Sequence, residues 1–67
     1  MELEKELTEE QRKIVKMVVN KATNKEIANE MNFSLPSIKR RLTAIYELLG
    51  VEDRTDLRIQ YNSMRES

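Results

Sequence analysis

The sequence predicts an all-α fold, a small bundle-like domain of four helices, and three observations lead there. Gly and Pro occur once each in 67 residues, at Gly50 and Pro36, so little interrupts a helix. Glu, Lys, Leu, Ile and Met, all compatible with helices, make up much of the chain. Hydroxyl and carboxylate residues recur at the spacing that caps helix N-termini.

Taken in order, Thr8 followed by Gln11 fits a capping box and opens a helix over about 8–20, whose apolar residues are Ile14, Val15, Met17, Val18 and Val19. Thr23 followed by Glu26 opens a short helix over 24–31, with Ile27, Ala28 and Met31 on one face. Asn32-Phe33-Ser34 is a tight connection in which Phe33 plugs the turn and Ser34 caps the next helix, 35–49. Pro36 is tolerated in its first turn, where amides have no partner within the helix. Ile38, Leu42, Ile45 and Leu49 make its buried stripe, and Gly50 ends it. Asp53 with Asp56 opens a fourth helix, 53–63, with Leu57, Tyr61 and Met64 facing inward. Residues 1–6 are expected to fray or to add a turn to the first helix. The expected core is Ile14, Met17, Val18, Ile27, Ala28, Met31, Ile38, Leu42, Ile45, Leu49, Leu57 and Tyr61.

Composition excludes much. A chain of this length is one domain with a small core. Without Cys it has no disulfide or thiolate site, and without His it lacks the usual zinc ligand and general base. It has no glycine loop and no pair of acids in a pocket, so neither an enzyme nor a small-molecule substrate is expected, nor any metal or cofactor. No apolar run approaches the roughly 18 residues of a membrane span. "MELEKEL" is acidic and lacks an apolar segment, so it is no signal peptide, and a cytoplasmic location is expected.

A net charge of zero hides a polarity. Residues 1–10 carry five anions against one cation, a net of −4, whereas residues 11–49 carry eight cations against three anions, a net of +5. The densest positive run is Lys39-Arg40-Arg41, at the start of the third helix. Arg40 and Thr43 lie opposite the buried stripe, and Lys39 and Arg41 flank it. Cations at a helix N-terminus oppose the macrodipole, at about 0.3–1 kcal/mol each. The fold itself recovers nothing from that local cost, whereas an anionic partner would. A short helix, a tight turn and a longer helix with a slender, basic leading face form a helix-turn-helix. In that motif the second helix enters the DNA major groove. There Arg and Lys donate to guanine, and Thr and Ala offer methyl groups to thymine. Asn24 and Lys25, in the first turn of the short helix, read equally as capping and solvation residues or as phosphate contacts.

The stretches "LTEEQRKIV", "TNKEIANEM" and "SLPSIKRRLTAIYELLGVEDRTDL" resemble, in order and spacing, the DNA-binding domain of LuxR/FixJ/GerE-type transcription regulators over roughly residues 7–61. The resemblance implies a four-helix domain that binds double-stranded DNA as a homodimer. Such a domain is usually the output half of a response regulator or quorum-sensing receptor, though some members stand alone. It assigns base contacts to Lys39, Arg40 and Thr43, and phosphate or helix-start contacts to Asn24, Lys25, Ser37 and Arg41. Ile59 falls about 160° from Leu57 and Tyr61 on the fourth helix. The resemblance therefore makes Ile59, with Thr55, Asp56 and Ser63, a candidate dimer interface. There are departures. Glu10-Gln11 stands where the family has Arg-Glu, so an ion pair that braces the first helix is absent or replaced. Arg41 stands where the family has His, and Leu35-Pro36 replaces polar residues.

Two other readings exist. A promoter-binding module like region 4 of a sigma factor shares the "EIA…S…IKRRL" spacing and would take RNA polymerase as partner, but the "GVEDRTDL" tail argues against it. A protein-interaction or antagonist module that kept the fold and lost DNA would suit the neutral net charge and the acidic start.

Overall fold

The computed structural model describes residues 7–66, with side chains as far as Tyr61. The described residues form four helices and no strand: α1 (Glu9–Val19), α2 (Asn24–Met31), α3 (Leu35–Leu49) and α4 (Arg54–Glu66). Residues 1–6, expected to fray or extend α1, and the side chains of Ser63 and Met64 lie outside what is described.

Side-chain caps set where each helix begins. The Thr8 and Gln11 pair closes a full capping box at α1, with Gln11 N–H donating to Thr8 Oγ1 at 3.1 Å and Thr8 N–H to Gln11 Oε1 at 2.9 Å. Thr23 and Glu26 do the same at α2. Ser34 Oγ accepts from Ser37 N–H at 3.3 Å, with Pro36 in the first turn of α3. At α4, Asp53 Oδ1 accepts from Asp56 N–H at 2.9 Å, and Asp56 Oδ2 accepts from Glu52 N–H at 3.0 Å. Two boundaries differ from expectation. Thr8 and Asn20 cap α1 from outside, so it is shorter than 8–20. Helix α4 starts after its cap, at Arg54, and runs beyond 63 because nothing in "SMRE" breaks a helix.

The first three helices end in one way. Lys21, Asn32 and Gly50 all take the left-handed conformation, with φ of 69°, 62° and 71°. After each, the next amide reaches back five residues: Ala22 N–H to the Met17 carbonyl, Phe33 N–H to Ala28 and Val51 N–H to Tyr46, at 2.9–3.0 Å. These are Schellman closures, which satisfy the last carbonyls and tuck the following residue inward. Ala22, Phe33 and Val51 accordingly pack on or within the core.

That core is wholly apolar among the described residues. Ile14, Val15 and Val18 of α1, Ile27 of α2, and Ile38 and Ile45 of α3 are its fully enclosed side chains. Ala28, Leu42, Leu57, Leu7 and Val51 complete it. Met17, Met31, Leu49 and Tyr61, expected inside, are only partly buried at its margin. Helix α2 packs on α3 and α1 on α4, which holds α3 by its stripe and leaves its opposite face bare.

Candidate nucleic-acid interface

The bare face of α3 begins at its first turn. Ile38, Leu42 and Ile45 are between 0% and 3% exposed, and at 100° per residue that fixes the rotation of the helix. Pro36, Lys39, Arg40, Thr43 and Ala44 are therefore all exposed, and Leu35, in the first turn, is 40% exposed. Among the described residues, no carboxylate pairs with Lys39 or Arg40. The Thr43 hydroxyl donates to its own helix, to the Lys39 carbonyl at 3.0 Å. What remains for a partner is the methyl group and the acceptor lone pairs of the hydroxyl oxygen.

Asn24, in the first turn of α2, lines a groove with Lys39, Leu42, Thr43, Tyr46, Asp53 and Arg54. The fold thus brings one expected phosphate contact beside two expected base contacts. The buried Asn24 Oδ1 accepts no hydrogen bond. Lys25, next to it, is exposed. Burial raises the Tyr46 phenol above its ordinary value; Asp53 adds to this, and Arg54 and Arg58 oppose it.

On the other flank, Arg41 is held rather than free. Its Nη1 donates to Glu10 Oε1 at 2.6 Å, and its Nε to Ser37 Oγ at 3.4 Å. The guanidinium carbon sits 4.0 Å from the centroid of the Phe33 ring. An ion pair thus runs from the start of α1 to α3. Phe33 does fill the turn between α2 and α3, packed against the core.

On α4, Ile59 is 63% exposed and Thr55 is exposed. Asp56 is half-buried, and its carboxylate is engaged by Glu52 N–H and by Gln60 Nε2, at 3.0 and 3.2 Å.

Two side chains that organise this surface carried no local signal. Glu10 finds its partner 31 positions away. Arg54 donates from Nη2 to the Ala22 carbonyl at 2.8 Å, tying the start of α4 to the loop before α2. The motif "GVEDR" contains Arg54, but only three-dimensional proximity assigns its acceptor. Among the described residues there is no cluster of metal-ligating side chains, and no helix is long and apolar enough to cross a membrane.

Compared with known families, residues 5–60 match the family model GerE, described as bacterial regulatory proteins, luxR family. The match spans α1, α2 and α3 whole and the first half of α4. No curated protein matches the chain.

Proposed function

The chain belongs to the luxR family of bacterial regulatory proteins, and from that premise we propose that it is a sequence-specific DNA-binding transcription regulator whose α3 enters the major groove. One observation carries this reading: Lys39 and Arg40 stand exposed, without an ion-pair partner among the described residues, on the leading turns of a helix whose opposite stripe is sealed in the core. Lys39 and Arg40 donate to base edges, and Thr43 offers its methyl group to a thymine. Asn24, Lys25 and Ser37 take the phosphates on either side, through first-turn groups. Arg41 is the fourth phosphate candidate, with Glu10 as its partner in the free protein.

A single module reads a short site weakly, and two-fold pairing doubles both contacts and site length. The proposed pairing surface is the outer face of α4 around Ile59, with Thr55, Asp56 and Ser63. Asp56 is less available than Thr55 and Ile59, because its carboxylate already accepts from Glu52 N–H and Gln60 Nε2.

The test is a mobility shift on mixed-sequence duplex at low salt, followed by a salt titration. The protein should shift the duplex, and log K should fall linearly with log salt, by about 0.9 per phosphate neutralised. No shift at micromolar protein would overturn the reading and favour a protein-interaction module with a retained helix-turn-helix.

A further inference from the structure

We infer that Glu10 is a built-in stand-in for a DNA phosphate, which occupies Arg41 and holds down the affinity of each domain for DNA backbone. This rests on the DNA-binding reading above. A guanidinium fork fits two biological anions well, carboxylate and phosphate. In the free protein Arg41 already has the first, at 2.6 Å and on Nη1. Its Nε is turned to Ser37 Oγ, and Phe33 covers the guanidinium face at 4.0 Å. These two contacts do not involve Glu10, and they hold the cation at the flank of α3, one residue beyond Arg40.

The pair is open to exchange. The Arg41 and Glu10 side chains are 40% and 39% exposed, and a solvated ion pair is weak. Glu10 also adds a negative charge beside the turns that approach DNA, with Glu9 next to it at the start of α1. Removing the Glu10 charge frees a donor and lifts a repulsion, and neither effect depends on base sequence. With Glu10 in place, each domain binds backbone less tightly, which makes occupancy of a site depend more on two domains acting together.

Glu10→Gln and Glu10→Ala both remove the charge, so a folding defect peculiar to one leaves the other to decide. Each is compared with the unmodified protein on mixed-sequence duplex across a salt series. Affinity should rise several-fold on every sequence, and the salt slope should steepen by about 0.9, one further phosphate. Arg41→Ala should cost more in the Glu10→Gln background than alone, as it must if the two side chains are coupled. Equal affinity and slope with and without Glu10 would overturn the inference, and so would an Arg41→Ala loss of the same size in both backgrounds. Either result, with the unmodified protein still bound to DNA, leaves the DNA reading standing. Binding by neither protein would overturn both.

Discussion

Lys21, Asn32 and Gly50 perform the same backbone task with different side chains. A left-handed residue costs an ordinary L-amino acid roughly 1–2 kcal/mol, Asn somewhat less and Gly nothing. A Cβ at Gly50 would meet nothing within 4 Å, so φ alone decides a substitution there. Gly50→Ala should therefore cost about 1 kcal/mol. In a domain of this size that lowers Tm by about 4–8 °C, measurable by thermal melting followed by circular dichroism; an unchanged Tm would contradict the conformational argument. Residues governed by local rules were legible in the sequence: the caps Thr8, Thr23 and Ser34, the stop at Gly50 and the inward Ile38, Leu42 and Ile45 of α3 stand as expected, while Leu49 at the end of that stripe is only partly buried. Val51 was not, although the closure after Gly50 places it inside and could have revealed it. Glu10 and Arg54 were beyond local reading, because their partners lie 31 and 32 positions away.

At the scale of elements, each helix was legible because its cap and its apolar period agree. Edges moved where the closing residues, rather than that period, set the end. Helix α1 stops at Val19, because Lys21 closes it from the left-handed region. Helix α4 runs on to Glu66, because neither Gly nor Pro interrupts residues 62–66. Helix α2 has eight residues, too few to persist alone in water. It exists because Ile27 and Ala28 are buried on the side where α2 packs on α3. The same dependence gives the motif its geometry: α2 places Asn24 in a groove with Lys39 and Thr43. That shared groove could not be read from the sequence, since it arises from how two helices cross rather than from either alone.

The whole molecule has no net charge, yet its middle carries +5 and its first ten residues −4. Long-range attraction to DNA is therefore weak, and contact depends on the orientation of one basic face. Such a domain gains most from pairing. Ile59, 63% exposed on α4, is the residue on which the proposed pairing turns. Ile59→Glu should abolish the two-domain complex on a palindromic duplex and leave half-site binding intact, as sedimentation of the protein–DNA mixture would show. Two domains still bound together would move the interface elsewhere.

Whether the leading turns of α3 read bases is decided by selecting bound sequences from a random duplex pool with the unmodified protein, Arg40→Ala and Lys25→Ala. Arg40→Ala should weaken binding by about 1–3 kcal/mol and lose preference at one base pair per half-site. Lys25→Ala should weaken all sequences alike and keep the preference. If Arg40→Ala selects the same sequence with the same affinity as the unmodified protein, α3 does not lie in the groove as described.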